Sequence, residues 1–397
     1  MSSRYYQKIL LIGLVVIIPC AFLMGFWRGE MRCEICSPED IDFTLFWKSY
    51  YKLQEKFVDQ GKFDSQKILY GAISGMTKSL DDPYTTFFNP EEAKVFMDDV
   101  TGEFEGVGME IGMRDGQLTI IAPIEGTPAQ KAGLRAGDKI IKIDDTFSQG
   151  IDINEAIKLI RGSRGTEVSF SILRESQEEL KEFKVVRAVI EVPSLEWEII
   201  ENNIAHLKLY QFSDKTNSDF REAAAEILKS PAQKIILDLR SNPGGYLQVA
   251  SDVAGWFLEK GKVIVIESPK DRIEDFDENV IEYKSQGPER LLAYPIVVLI
   301  NQGTASGAEI LAGALRDNRG IQLIGETSFG KGCVQEIENM DNGSILKITI
   351  ANWFTPNGNL ISDEGLEPDI KIEMTNEDYD QGKDPQLKKA IEIIKEM

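Results

Sequence analysis

Unbroken apolar segments alternate with helix-patterned segments in the C-terminal half of the chain, and this alternation restricts the fold most. Two of the apolar segments are Lys234-Ile-Ile-Leu-Asp-Leu and Ile296-Val-Val-Leu-Ile. Helical patterns follow them, at Tyr246 to Leu258 and at Ala308 to Arg316. Strands that are apolar throughout are buried on both faces, which is typical of a parallel sheet covered by helices. We therefore predict a largely parallel α/β core over residues 189–375, with its chemistry at the carboxyl ends of the strands.

Other patterns surround this core. Residues 28–97 carry apolar side chains at three- and four-residue steps until Pro83 breaks the helical pattern. Residues 98–188 change to short β-patterned stretches separated by glycines, with one helical stretch inside them. Residues 376–397 have the apolar spacing of an amphipathic helix that docks on the core. Within the core, the acidic and weakly patterned stretch 271–289 is predicted to be a loop.

An apolar run from Ile9 to Trp27 precedes all of these regions. Its length is close to the ~20 residues that a helix needs to cross a bilayer. Arg4 and Lys8 come before the run and no acidic residue does, so residues 1–8 are predicted to stay in the cytoplasm. We expect a single-pass transmembrane anchor at 9–27, with the rest extracytoplasmic, either periplasmic or on the cell surface. A cleaved signal peptide is the alternative, although the run is long for one and lacks a small-x-small cleavage site.

Charge and cysteine content exclude some classes of partner. The chain has 65 acidic and 44 basic side chains, a net charge of −21, which repels phosphate backbones and makes nucleic acid an unsuitable partner. Cys33-Glu-Ile-Cys36 offers one pair of thiols, too few for a structural zinc site. We expect a local or intermolecular disulfide there and no metal site.

One stretch of the β-patterned region resembles the PDZ domain family: Gly126-Thr-Pro-Ala-Gln-Lys-Ala-Gly-Leu-Arg-Ala-Gly137-Asp-Lys-Ile-Ile-Lys-Ile. PDZ domains bind peptide C-termini by adding the ligand as a strand to a sheet edge, while backbone amides of a glycine-containing loop hold the carboxylate. By this resemblance, that loop and its leading strand are Gly106, Val107, Gly108 and Met109. The alternative interpretation is an ordinary glycine-rich hairpin.

A serine and a lysine, each in a glycine-rich frame, lie 25 residues apart at Ser306 and Lys331. A serine hydroxyl becomes a good nucleophile only when a neighbouring group takes its proton, and that group is usually histidine. The only histidine, His206, lies in an alternating, strand-like stretch. Lys331 is therefore the candidate base, a role that requires a neutral amine and is favoured by burial or by a nearby positive charge. The alternatives are that Ser306 only caps a helix and that Lys331 is solvated.

A second glycine-rich segment ends the buried strand that begins at Lys234. It reads Asp238-Leu-Arg240-Ser-Asn242-Pro-Gly244-Gly245, and glycine there allows a backbone N–H to face a ligand. One amide from this turn and one from Gly307 would make a two-donor oxyanion hole. Without that context, the segment is simply a favourable turn.

These segments together resemble the C-terminal processing peptidases, also called tail-specific proteases. The shared motifs keep their order along the chain: Phe57-Val-Asp59, Gly71-Ala-Ile-Ser-Gly75-Met, Asp82-Pro83-Tyr84-Thr85, the PDZ stretch, Leu239-Arg240-Ser-Asn242-Pro243-Gly244-Gly245, Gly303-Thr304-Ala305-Ser306-Gly307, Gly330-Lys331-Gly332 with Val334-Gln335, Thr355-Pro356-Asn357-Gly358, and Gly365-Leu-Glu-Pro368-Asp369. One departure is Cys333, which stands where a small residue is usual.

The resemblance implies a crotonase- or Clp-protease-like α/β core and a serine endopeptidase that cuts proteins near their C-termini. It implies that Ser306 is the nucleophile, Lys331 the general base and Gln335 the residue that orients Lys331. It places the oxyanion hole at the amides of Gly245 (or Gly244) and Gly307. The PDZ domain would recognise substrate C-termini or gate activity, with protein or peptide substrates as partners and no cofactor. The sequence is also compatible with a homo-oligomer.

Two functions of other classes remain open from the sequence. One is a membrane-tethered binding protein that uses the PDZ groove and has an inert core. The other is a trypsin-like protease with a PDZ domain, which would need His206 as its catalytic base.

Overall fold

The computed structural model describes residue 18 and residues 41–397, apart from 102, 115, 125, 136, 152, 175–178, 192, 272–278, 363, 376 and 379–380. The predicted anchor at 9–27, except for position 18, lies outside the described residues, as do the cytoplasmic segment 1–8 and both cysteines of the Cys33-Cys36 pair. In the described part of the chain, no helix is long and apolar enough to cross a membrane. The chain divides into two compact units, Met1–Leu69 and Tyr70–Met397.

Helices make up the described part of the first unit, as the apolar spacing predicts. Helix α1 (Thr44–Lys56) is followed by a 3-10 turn (Gln60–Lys62) and by the start of helix α2 (Ser65–Lys78). Helix α2 ends before Pro83, which cannot continue a helix. The predicted helical region also contains one short strand that was not predicted, β1 (Thr86–Phe88), after the break at Pro83. A three-residue strand shows no periodicity, and its partner strand lies far away in the sequence.

A small β-sheet domain follows, in agreement with the predicted β-rich region, and it contains two short helices where the sequence predicted one. Its central sheet has the strand order β3-β4-β5-β7-β8, with β6 beside β5, and β2 pairs with β9. Side chains of β7 alternate between buried and half-buried, and Val168, Phe170 and Ile172 point into the domain core. The elements are β2 (Glu103–Gly106), β3 (Met109–Arg114), β4 (Gln117–Pro123), α4 (Pro128–Lys131), β5 (Lys139–Ile143), β6 (Thr146–Phe147), α5 (Ile153–Ile160), β7 (Glu167–Leu173), β8 (Lys181–Val186) and β9 (Ala188–Glu191); helix α3 (Pro90–Thr101) precedes them.

The predicted parallel core is confirmed. Its sheet has the order β10-β11-β12-β15-β16-β19, in which only the edge strand β10 is antiparallel to its neighbour. The elements are β10 (Leu195–Ile200), β11 (Ile204–Leu209), α6 (Thr216–Ile227), β12 (Lys234–Asp238), α7 (Leu247–Phe257), β15 (Ile296–Ile300), α8 (Gly307–Arg319), β16 (Leu323–Gly325), β19 (Ile370–Lys371) and α9 (Pro385–Glu396).

Both faces of this sheet are covered, which explains why the inner residues of its central strands are apolar. Val298 and Ile300 of β15 pack in the cluster that contains α7 and α8, whereas Val297 and Leu299 pack with Ala390 and Ile394 of α9. The C-terminal helix therefore docks on the core as predicted. Its N-cap is Asp384, which accepts a hydrogen bond from Leu387 N at 2.8 Å.

A second, antiparallel sheet lies beside the core, in the order β1-β18-β13-β14 with β17 paired to β18. Its strands are β13 (Val263–Ser268), β14 (Ile281–Lys284), β17 (Cys333–Asn339) and β18 (Ile345–Phe354). The prediction of a loop over 271–289 is therefore wrong where β14 pairs with β13. Strand β14 is an edge strand with only Tyr283 half-buried, so its sequence has no apolar alternation to reveal it.

Candidate active site

Ser306 lies between the central strand β15 and helix α8, at the carboxyl edge of the parallel sheet. Its backbone has φ +52° and ψ −118°, and positive φ values are uncommon for residues with a side chain. The preceding turn is fixed by Thr304, whose hydroxyl accepts a hydrogen bond from Asn301 N at 3.0 Å and donates one to Leu239 O at 2.8 Å. The predicted position of Ser306, after a strand and before a helix, is confirmed.

Gly244 and Gly245 form a turn directly against Ser306. A Cβ atom on Gly244 would lie 2.7 Å from the Cβ of Ser306, and one on Gly245 would lie 2.2 Å from Phe212 O. Both glycines have positive φ, +95° and +140°. Phe212 holds the turn from the other side, because its N–H donates to Gly244 O at 2.8 Å and its carbonyl accepts from Tyr246 N at 2.9 Å. Only glycine therefore fits at either position.

Two backbone N–H groups beside Ser306 are free to bind an oxyanion. In the part of the chain that the structure describes, the amides of Gly245 and Gly307 donate no hydrogen bond. They lie close together, since a Cβ on Gly307 would be 3.6 Å from Gly245 N. The amide of Gly244, by contrast, donates to Asn242 Oδ1 at 2.9 Å. Of the two glycines that the sequence leaves open, the geometry favours Gly245.

The backbone of Lys331 is a neighbour of Ser306. The N–H groups of both residues donate to the same atom, Glu309 Oε2, at 3.0 Å from Lys331 and 2.8 Å from Ser306. The amine of Lys331 extends to 6.0 Å from the centre of the Tyr84 ring. Among the described residues, no hydrogen bond joins Lys331 Nζ to Ser306 Oγ. The two segments are thus together, and the amine itself points toward Tyr84.

A second amine and a thiol lie beside Lys331. Burial and the positive charge of Lys331 lower the pKa of Lys347. Burial raises the pKa of the Cys333 thiol, and the charge of Lys331 opposes that rise. The two lysine ammonium groups therefore repel each other in a partly desolvated region.

Gln335 contacts Tyr84 instead of Lys331. Its Nε2 donates to Tyr84 O at 3.0 Å. The turn that carries Tyr84 is built around Asp82, whose carboxylate accepts from Tyr84 N at 3.0 Å and from the Thr85 hydroxyl at 2.6 Å. The role of Gln335 in orienting Lys331 stays a prediction, since the bond to Tyr84 uses its amide nitrogen and no hydrogen bond joins the two side chains among the described residues.

Two residues of this site were not singled out by sequence reasoning. Tyr84 lies within the shared Asp82-Pro83-Tyr84-Thr85 motif, and the motif alone gave it no role. Glu309 follows Ser306 by three residues, a spacing typical of a helix capping box. Its contact with Lys331 could not be read from that spacing.

The predicted peptide-binding loop lines a cavity of about 570 Å³. Val107, Gly108 and Met109 contribute to its wall, whereas Gly106 ends β2 and pairs with Ala188. Gly108 has φ +77°, and a Cβ there would lie 2.5 Å from the Thr127 side chain. This loop therefore requires glycine at its centre.

The parallel core supplies the other wall of this cavity. Pro193, Glu196 and Tyr210 line it, and the Tyr210 hydroxyl donates a hydrogen bond to Glu196. Burial raises the pKa of Tyr210. The hydrogen bond to Glu196 and the negative charge of Glu196 raise that pKa further. Tyr210 lies two residues before Phe212, the residue that holds the turn of Gly245.

Comparison with known families gives three matches. Peptidase family S41 matches residues 203–372, the PDZ domain matches 119–174, and the activating protease CtpB N-terminal domain matches 37–92. The carboxy-terminal processing protease CtpA of Bacillus subtilis (strain 168) is 36% identical over 370 residues, which cover 92% of this chain and 77% of that protein. The chain belongs to the C-terminal processing peptidases of family S41.

Two further likenesses agree with this membership of the C-terminal processing peptidases. The carboxy-terminal processing protease CtpB of the same strain is 36% identical over 351 residues, 87% of this chain and 70% of that protein. The solved structure of the photosystem II D1 C-terminal processing protease is 26% identical, with a TM-score of 0.54, and covers 83% of this chain and 92% of that one. The predictions of a serine-type endopeptidase and of a PDZ domain are confirmed.

His206 has a structural position in this C-terminal processing peptidase. It lies on β11, and its Nε2 is 3.2 Å from Asp238 Oδ2. The alternative of a trypsin-like protease is wrong, because the fold and the family are those of S41 peptidases. The described residues contain no group of three His, Cys, Asp or Glu side chains that could hold a metal ion.

Proposed function

We propose that this chain is a membrane-anchored, extracytoplasmic endopeptidase that cleaves proteins near their C-termini with Ser306 as nucleophile and Lys331 as base. The observation that carries the proposal is the shared acceptor, Glu309 Oε2, which brings the backbones of both residues together. The free amides of Gly245 and Gly307 beside Ser306 support it.

These positions support the following reaction. Ser306 Oγ attacks the carbonyl carbon of the scissile peptide bond while Lys331 Nζ takes its proton. The negative charge that develops on the carbonyl oxygen is stabilised by the N–H groups of Gly245 and Gly307. The C–N bond then breaks, and Lys331 gives its proton to the leaving amine. A water molecule then attacks the acyl carbon while Lys331 takes its proton, the ester bond to Ser306 Oγ breaks, and Lys331 returns the proton to that oxygen.

The proposed reaction requires the side chain of Lys331 to change its conformation. Proton transfer needs the amine within about 3 Å of the serine oxygen. In the structure that amine lies near Tyr84, and Gln335 binds Tyr84 O. We therefore assign the structure to a resting state, in which the side chain of Lys331 has yet to turn toward Ser306.

The PDZ groove is proposed to bind substrate C-termini and to influence this change. Val107, Gly108 and Met109 line the groove, and a carboxyl terminus binds to backbone amides of such a glycine-containing loop. A peptide in the groove would contact Tyr210, and the chain continues from there to Phe212 against the oxyanion turn. Peptide binding can shift the equilibrium from the resting to the active conformation of Lys331 only if the groove binds the peptide more tightly in the active conformation.

Alanine variants of the two reacting residues test the reaction. Ser306→Ala and Lys331→Ala should each abolish cleavage of a protein substrate, measured by mass spectrometry of the new C-termini. The exposed Lys229→Ala serves as control and should cleave normally. Full activity of either site variant, with native circular dichroism, would refute the assignment.

The anchor is supported by the apolar run of residues 9–27 and the basic residues before it. Proteinase added to intact cells or spheroplasts should digest the catalytic part of the full-length protein while the cytosolic proteins survive. Complete protection until the membrane is lysed would refute the extracytoplasmic location.

A further inference from the structure

Glu309 is a fully buried carboxylate on the first turn of helix α8. A buried charge is costly unless hydrogen bonds or an opposite charge satisfy it. Burial raises the pKa of Glu309, while its hydrogen bonds with Ser328, Gly330, Ser306 and Lys331 lower it. Among the described residues, no cationic side chain forms an ion pair with it. This carboxylate is therefore stabilised by hydrogen-bond donors alone.

Four donors surround the two oxygens of Glu309. Oε1 accepts from Ser328 Oγ at 2.6 Å and from Gly330 N at 2.7 Å. Oε2 accepts from Ser306 N at 2.8 Å and from Lys331 N at 3.0 Å. An ionised carboxylate offers about four lone-pair sites, so its acceptor capacity is filled.

A capping box accounts for only one of these four bonds. The box needs the bond from Ser306 N, since Ser306 is the N-cap and Glu309 the third helical residue. The other three donors belong to residues 328–331, which come after the helix and the next strand. The carboxylate thus joins the segment of Ser306 to the segment of Lys331.

Further contacts keep the segment 328–331 in place. Phe329 N donates to Thr304 O at 2.9 Å, in the turn before Ser306. Ser328 Oγ accepts from Leu366 N at 2.6 Å while it donates to Glu309. Because the Ser328 oxygen accepts the N–H of Leu366, the hydroxyl proton of Ser328 is directed toward the carboxylate of Glu309.

We propose that Glu309 is the positioning residue of the active site, a carboxylate that sets the separation of the nucleophile and base segments without touching the substrate. The inference rests on the proposed function, since it takes Ser306 and Lys331 as the reacting groups. Loss of this acceptor would let Ser306 relax from its positive φ and let the Lys331 segment move away.

Glu309→Gln tests the proposal with a side chain of the same shape. The amide keeps one acceptor oxygen and turns an N–H₂ group toward donors that then have no acceptor. We expect kcat to fall about 10²-fold with KM nearly unchanged, as for a displacement of catalytic groups by about 1 Å. The rate at which a fluorophosphonate probe labels Ser306 should fall by a similar factor, which destabilisation alone would not cause well below the melting temperature.

Asp384→Asn is the matched control. Asp384 is also a carboxylate at a helix start that accepts a backbone N–H and joins two segments, because it binds Arg240. This variant should lose stability and keep kcat. If Glu309→Gln does not fold, Ser328→Ala replaces it, since it removes one of the four donors and should lower kcat about tenfold.

The outcomes separate this inference from the proposed function. A folded Glu309→Gln enzyme with kcat within threefold of the parent overturns the positioning role, and so does an unchanged kcat in Ser328→Ala when Glu309→Gln does not fold. If Ser306→Ala retains activity and the parent enzyme is not labelled by the probe, the proposed function itself fails. Loss of kcat and of labelling in Glu309→Gln, with binding intact, supports both.

Discussion

Ser306 combines a side chain with a positive φ, and several neighbours hold it there. Such a conformation costs about 1–3 kcal/mol and persists only where the surroundings determine it. Gly244 lies against its Cβ, Glu309 accepts its N–H, and Thr304 braces the turn that leads to it. The hydroxyl is thereby presented at the carboxyl edge of the sheet, beside two free amides.

Gly244→Ala tests this arrangement at the level of one atom. The new Cβ would lie 2.7 Å from that of Ser306 and 2.8 Å from Gly307 N, at a φ of +95°. We expect kcat to fall by about 10²-fold or more, because the oxyanion turn must shift. Steady-state cleavage of a peptide, with thermal unfolding in parallel, measures both effects.

Gly320→Ala is the control for the backbone effect alone. Gly320 has φ +62° and open space where a Cβ would stand. This variant should lose about 1 kcal/mol of unfolding free energy at an unchanged kcat. An unaltered kcat in Gly244→Ala would mean that the turn does not support Ser306.

The sequence predicted the positions of Ser306 and Lys331 because each lies in its own glycine-rich frame. It left Gly244 and Gly245 as alternatives, since the choice depends on where the Asn242 side chain directs its oxygen. Glu309 was missed because three of its four partners come from a segment that only the tertiary fold brings close. Local pattern thus indicated the groups that we propose to react, and it could not identify what holds them together.

At the scale of elements, burial decided which predictions were confirmed. Strands β12 and β15 are covered by helices on both faces, so the three inner residues of β12 and all five residues of β15 are apolar. Strand β14 is exposed along an edge, and β1 has three residues; neither carries a pattern that differs from a loop. Both strands exist because β13 and β18 offer them hydrogen bonds.

Gly108→Ala tests the peptide-binding loop between β2 and β3. A Cβ at this φ of +77° would lie 2.5 Å from Thr127, so the loop must move and its amides lose their direction. In a Ser306→Ala background, affinity for a peptide with a free C-terminus should fall about tenfold or more. Fluorescence polarisation with a labelled peptide measures the affinity, and the same peptide with an amidated end shows the part due to the carboxylate.

Gly116→Ala is the matched control in the same domain. Gly116 has φ +74° with no atom near the position of a Cβ. The control should bind the peptide as the parent does. Equal affinity of the Gly108→Ala and Gly116→Ala proteins would contradict the proposed loop.

At the scale of the whole molecule, one ion-pair network joins the parallel sheet to the C-terminal helix. Arg240 binds Asp238 with an Nη2–Oδ2 distance of 2.6 Å and Asp384, the N-cap of α9, at 2.8 Å. Burial alone would raise the pKa of Asp238, but hydrogen bonds from His206 and Arg240 and the charge of Arg240 lower it well below its usual range. The network should therefore contribute to stability while Asp238 is ionised.

Asp238→Asn should show this contribution as a pH-dependent loss of stability. Because the folded-state pKa is depressed, the stabilisation is present above the unfolded pKa of about 3.9 and is lost as the pH falls toward the folded value. We expect the variant to be about 3 kcal/mol less stable at pH 7, and the difference to shrink below about pH 4. Urea unfolding at pH 7 and pH 3 measures it.

The exposed Asp341→Asn is the control and should change the unfolding free energy little at either pH. A difference between Asp238→Asn and the parent that stays constant with pH would show that the network contributes through packing and not through charge.

The acceptor shared by Ser306 and Lys331 also limits how quickly the enzyme can switch on. Since both backbones are bound to one carboxylate, the proposed approach of Lys331 Nζ to Ser306 Oγ should need rotation of the lysine side chain and no loop refolding. Exposed side chains change rotamer in ps–ns, whereas loop rearrangements take ns–μs or longer. If Lys331 is the base that we propose, a delay on the timescale of loop rearrangement should therefore originate outside these two segments.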